Sequence, residues 1–142
     1  WYEISLSATR QEAPYEYWRA DYFTVAELTD PAVSGETADP DGDGLSNLFE
    51  YAIGTNPRGP GLGGRYEGGL AADGLAEYLT VTAVRNTDAT DVRFEASVSD
   101  DLAEWTNDVT VLQDTPAAFS VRDNTPMSAA PHRFLRLKVV RP

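Results

Sequence analysis

Cysteine is absent from the 142 residues, which excludes disulfides, zinc–thiolate sites and thiol catalysis. Histidine occurs once, at His132. A Ser/His/Asp triad would have to use it, yet it precedes an arginine-rich stretch and no nucleophile elbow appears anywhere. Lysine is nearly missing too, with ten arginines against one lysine. No apolar run approaches the 18 or so residues that a membrane-spanning helix needs, so no insertion is expected. No basic-then-apolar leader precedes Trp1, so the chain reads as a mature product or as a piece of something longer.

Positive charge is scarce. The net charge is −12 and the isoelectric point is about 4.3, a balance that repels nucleic acid and anionic membrane surfaces. Residues 1–57 hold eleven acids and two arginines, or −9; residues 58–142 hold twelve acids and nine bases, or −3. What is present in quantity is apolar side chain, 42% of residues with 11% aromatic, enough for one domain with a real core.

The acidic half contains the most specific motif, Asp39-Pro40-Asp41-Gly42-Asp43-Gly44-Leu45-Ser46-Asn47-Leu48-Phe49-Glu50. It fits D-x-[DN]-x-[DN]-G-x₅-E at every specified position. Asp39, Asp41 and Asp43 stand at positions 1, 3 and 5. Gly44 turns the chain at position 6, and Leu45 supplies a backbone carbonyl at position 7. Asn47 falls at position 9, often a water-mediated contact, and Glu50 closes the set at position 12. Oxygen donors at this spacing suit Ca²⁺, a hard cation that takes six to eight of them. A solvated acidic turn would need only some Asp and Gly, not all of these positions in register.

Around the loop the patterns differ. Residues 1–13 open with a strand-like alternation at Tyr2, Ile4 and Leu6. Residues 14–57 form a helical calcium-loop segment. Pro14 suits a first helical turn, Tyr15, Trp18, Tyr22 and Phe23 share a helical face, and a second turn over 25–28 stops at Asp30-Pro31. Pro31 and Gly35 prevent a continuous helix from entering the loop. A helix over 45–53 leaves it, with Gly54 as its stop and Pro57 beyond. Residues 58–74 read as a Gly/Pro-rich connection, with no phosphate-loop pattern in it. Residues 75–142 read as an antiparallel β domain with strands over 77–84, 92–98, 109–112, 118–122 and 133–140. The basic residues of the last strand are expected to pair with acids on neighbouring strands. The expected fold class is therefore α+β: a short helical calcium-binding segment packed on an antiparallel β-sandwich of immunoglobulin-like size.

The stretch from Ala38 to Pro57 resembles the calcium segments of dockerin-like and thrombospondin type 3-like repeats. It is especially similar to a block near the C-termini of large secreted or surface bacterial proteins, where D-x-D-G-D-G-x-x-N-x-x-E-Y-x-x-G-T-x-P precedes a small β domain. Val98-Ser-Asp-Asp-Leu-Ala-Glu-Trp-Thr106 and His132-Arg-Phe-Leu-Arg-Leu137 resemble strand motifs of that domain. The resemblance implies an extracellular or cell-surface, non-catalytic module. Dockerins carry two such segments and this chain carries one, so cohesin docking is not implied.

Three functions follow as expectations. The first is a calcium-stabilised structural or adhesion module, not an enzyme, contacting other protein domains. The second is a carbohydrate-binding accessory module of a larger secreted enzyme, with a polysaccharide as partner and Trp1, Tyr2, Tyr15, Tyr17, Trp18, Tyr22 and Trp105 as candidate stacking aromatics. Helical spacing makes Tyr15, Trp18 and Tyr22 core residues in preference, leaves Tyr17 facing outward, and puts Trp105 under a strand-connecting turn. The third is self-assembly into a surface filament or layer, copies joining by strand addition through residues 1–8.

Overall fold

Pro14 opens helix α1 (Pro14–Tyr22), where its missing N–H costs nothing. The computed structural model describes residues 13–60 and 65–142; the strand pattern of residues 1–8 lies outside the described residues. α2 (Val25–Leu28) is closed by a capping box, in which the Thr24 hydroxyl accepts from the Glu27 N–H and the Glu27 carboxylate accepts from the Thr24 N–H. α3 (Pro31–Ser34) is a single turn capped by Asp30. α4 (Asn47–Ile53) starts after Ser46, whose hydroxyl accepts from the Phe49 N–H, and ends at Gly54 in the left-handed region with φ 75°. No helix among the described residues is long and apolar enough to cross a membrane.

The helical segment packs through aromatic rings. Tyr15 is buried, edge-on to Tyr51 at 5.2 Å and stacked on Trp18 at 5.6 Å. Phe23 is buried beside Trp18. Tyr22 lies at the surface against Trp18, so the face expected of Tyr22 is taken by Phe23, which turns inward where the chain leaves the helix. Tyr17 points outward.

Six strands follow: β1 (Tyr66–Asp73), β2 (Ala76–Val84), β3 (Arg93–Ser99), β4 (Val109–Asp114), β5 (Ala118–Asp123) and β6 (Phe134–Val140). They form a four-stranded antiparallel sheet in the order β1-β2-β5-β4 and a two-stranded antiparallel sheet of β3 and β6. The α+β class holds. The reading of residues 58–74 as a connection is corrected, because Tyr66–Asp73 is a strand paired along its whole length with β2. With Gly68 and Gly69 it has little strand propensity of its own. Its partner supplies the hydrogen bonds, and Gly74 with φ 64° makes the tight turn.

The core joins these parts. Phe94 of β3 stacks on Phe119 of β5 at 5.6 Å, and Ala83, Val121 and Val139 share one cluster with Tyr15, Leu48, Tyr51, Ala52 and Ile53. Trp105 sits after a turn held by Ser99 and Asp101. Its indole N–H donates to the Leu102 carbonyl, and the Arg136 guanidinium lies 3.8 Å from its ring centroid.

Candidate metal centre

The acidic loop runs between α3 and α4 and is closed at its base by backbone. The Asn47 N–H donates to the Ala38 carbonyl at 2.8 Å, and the Leu48 N–H to the Glu36 carbonyl at 3.0 Å. Within the loop each aspartate accepts from backbone ahead of it. Asp39 takes the N–H groups of Gly42 and Gly44 at 2.9 and 3.0 Å, Asp41 that of Asp43, and Asp43 that of Leu45. Such aspartate turns preset a curve before any ligand arrives. Gly42 and Gly44, with φ 75° and 92°, supply the left-handed conformations that bend the chain back on itself. The result is that Asp39, Asp41 and Asp43 each present a carboxylate oxygen within 4.8 Å of the others. Unit negative charges so close repel by roughly 3 kcal/mol per pair at an effective dielectric constant of 20.

Glu50 joins this group from the first turn of α4 and is fully buried. One carboxylate oxygen accepts from the Thr55 hydroxyl at 3.1 Å; Oε2 has no hydrogen-bond partner. Burial pushes its pKa up to about 7; the Thr55 hydrogen bond opposes this, and the negative charges of Asp41, Asp43 and Asp39 reinforce it. Asp41 behaves alike. Its Oδ2 is buried without a hydrogen-bond partner, and its pKa is raised by burial first and then by its acidic neighbours, against the lowering effect of the Asp43 N–H.

Leu45 stands at the loop exit, partly buried against the core. Asn47 is more deeply engaged than a ninth loop position requires. Its Nδ2 donates to the Val33 and Gly35 carbonyls at 3.0 and 2.9 Å, which ties the end of α3 to the start of α4. Its Oδ1 is buried without a hydrogen-bond partner. Thr55 was not singled out as part of the site, although the Glu-Tyr-x-x-Gly-Thr spacing around it was visible.

The segment is docked on the strands by one cation. Arg141, just past β6, pairs with Glu36 at 2.9 Å, approaches Glu16 at 3.5 Å and Asp91 at 3.8 Å, and lies 4.8 Å from the Tyr15 ring centroid. Asp91 also accepts the Tyr51 hydroxyl proton at 2.6 Å. Four oxygen-bearing side chains around one bend, with buried carboxylate oxygens that bond to nothing in the protein, could hold a hard divalent cation. His132 is exposed and remote in sequence from this cluster.

No protein-family model, no curated protein and no solved structure matches this chain.

Proposed function

We propose that the chain is a calcium-stabilised structural or adhesion module that works outside the cell and has no catalytic activity. The observation that carries this reading is Glu50, a fully buried carboxylate with a bare Oε2, set in the field of Asp39, Asp41 and Asp43. A buried carboxylate without a counter-charge is costly, and a cation shared with the three aspartates removes that cost. The Leu45 carbonyl and the Asn47 side chain complete the ligand set. Oxygen-only donors favour Ca²⁺ over softer metals, and the millimolar calcium outside cells suits a single loop of this kind. In this reading the two sheets form a small β-sandwich, which the Phe94–Phe119 stack supports, and calcium fixes the helical segment against it. Calcium at a hundredfold excess over Kd is expected to add about 2.7 kcal/mol of stability. Calorimetric titration and thermal melts with calcium or chelator measure this. Equal melting temperatures in both, or an Asp41→Ala variant that responds as fully as the parent, would reject calcium binding.

A second reading, carbohydrate binding, draws on one cleft. Pro14, Tyr17, Trp18 and Tyr51 line a depression of about 370 Å³ together with Asp21, Asn86 and Asp88. Aromatic faces beside carboxylates and an amide suit a sugar ring and its hydroxyls, and Tyr17 is 54% exposed there. Tryptophan fluorescence titrated with plant, algal and bacterial glycans is expected to respond, and Tyr17→Ala is expected to weaken the response about tenfold, the ~1.4 kcal/mol of one stacking contact. Silence across the panel would remove this reading and leave the calcium reading standing.

A further inference from the structure

The two sheets are unequal in width, and the mismatch leaves one side uncovered. β3 and β6 lie over β5 and β2, so β1 and β4 extend beyond them on opposite sides. On the β1 side the calcium segment fills in, with Phe49 edge-on to Tyr66 and Leu45 against the core. On the β4 side, Val111 pairs with Val121 of β5 and so shares its inward face. Val121 is fully buried, yet Val111 is 53% exposed.

The edge of β3 that faces β4 is only partly used. Val98 exchanges both backbone hydrogen bonds with Thr106, at 2.8 and 3.0 Å, so its polar groups point away from β6. Antiparallel ladders alternate, so Ala96 and Phe94 point the same way. Among the described residues no backbone group bonds them on that side. A cleft of about 970 Å³ runs along this edge, lined by Phe94, Ala96, Trp105, Val111, Phe119 and Val121.

We propose that residues 1–8 of the same chain occupy this cleft as an antiparallel neighbour of β3. Tyr2, Ile4 and Leu6 recur at every second position and match an apolar slot beside a free strand edge. The route is short. Glu16 in the first turn of α1 lies 3.5 Å from Arg141, and Val140 just before Arg141 pairs with Arg93, the first residue of β3. The start of α1 and the start of β3 therefore lie at one end of the molecule. Residues 9–13 span roughly 17 Å when extended, and a segment arriving from that end runs antiparallel to β3. It would continue the column that Thr106 begins, cover Val111, and cap an edge that otherwise invites aggregation.

Because the chain has no cysteine, cross-linking tests this cleanly in the full chain. Glu95→Cys is combined with Ser5→Cys in one variant and with Ser7→Cys in another, and each is oxidised. A disulfide within one chain in at least one variant is the expected result. Disulfides only between chains would assign the edge to a second copy and overturn the proposal, as would none in either variant. A second measurement avoids the cross-link. The Ala96 amide is expected to exchange slowly, and about tenfold faster in an Ile4→Asp, Leu6→Asp chain, with the Leu137 amide unchanged. Equal Ala96 exchange in the two chains would overturn it. The calcium response of the melt is expected to persist in both, so failure here and failure of the calcium reading are distinguishable.

Discussion

With calcium chelated, the protein is expected to lose about 3 kcal/mol of stability as pH rises from about 4.5 through 7. Glu50 is the cause. In the folded protein its carboxyl titrates near 7 against an ordinary 4.5. Between those values the native state holds a proton that the unfolded chain has released, so stability falls as pH rises. The contribution is complete below about 4.5 and gone above about 7. Asp41, also raised, acts in the same direction. Calcium reverses the slope, since it binds the ionised carboxylates and displaces the proton. Glu50→Gln supplies the decisive contrast. Removing the charge but keeping the shape is expected to make the chelated protein more stable than the parent at pH 8, while the gain from calcium shrinks. Denaturant melts at pH 5 and pH 8, with and without calcium, read all of this. A Glu50→Gln variant less stable than the parent in chelator at pH 8 would show that the Glu50 charge is already compensated within the protein.

Arg133→Ala is expected to cost about 3–5 kcal/mol, the usual penalty for breaking a buried ion pair from one side. Asp123 at the end of β5 is fully buried, and Arg133, just before β6, is 10% exposed. The guanidinium donates to both carboxylate oxygens at 2.7 Å, and the Thr125 N–H donates to Oδ1 at 2.9 Å. The pair therefore ties the four-stranded sheet to the two-stranded one. Losing the arginine strands a carboxylate with no route to water. Arg133→Lys is expected to recover only part of the loss, because an ammonium cannot make the two-pronged contact. A double replacement, Asp123→Leu with Arg133→Met, is expected to be less damaging than Arg133→Ala alone, since no buried charge remains unpaired. Urea titration of the four chains closes the cycle. A loss under 1 kcal/mol for Arg133→Ala would mean that Asp123 reaches solvent in solution.

Much of the architecture was legible where its causes are local. Pro14, the Thr24–Glu27 capping box, Asp30-Pro31 and Gly54 act within a few residues of themselves, so helix starts and stops followed from the chain. The strands rich in β-branched and aromatic residues were legible for the same reason. β1 was not, because its stability comes from a partner and not from its own glycine-bearing sequence. The division into two sheets was equally hidden, since β3 pairs with β6 across more than thirty intervening residues and no short-range signal fixes that choice. At the acidic loop, spacing alone brought Asp39, Asp41 and Asp43 together. The complete burial of Glu50 and its contact with Thr55 arise from packing that spacing does not encode. The basic residues of the last strand were expected to meet acids on neighbouring strands. Lys138 does face Glu95 across the ladder, but Arg141 reaches instead to Glu16, Glu36 and Asp91.

That reach of Arg141 dictates an order of assembly. Glu16 belongs to the first helix and Arg141 follows the last strand, so the contact closes a loop of nearly the whole described chain. Contacts of such separation pay their entropic cost late, after local hairpins have formed. Until β6 is in place, Glu16, Glu36 and Asp91 face one another without their common cation, and the aromatic ring of Tyr15 lacks one of its covers. The helical segment is thus the last part to settle during folding, and it is the first expected to come away when the last strand frays.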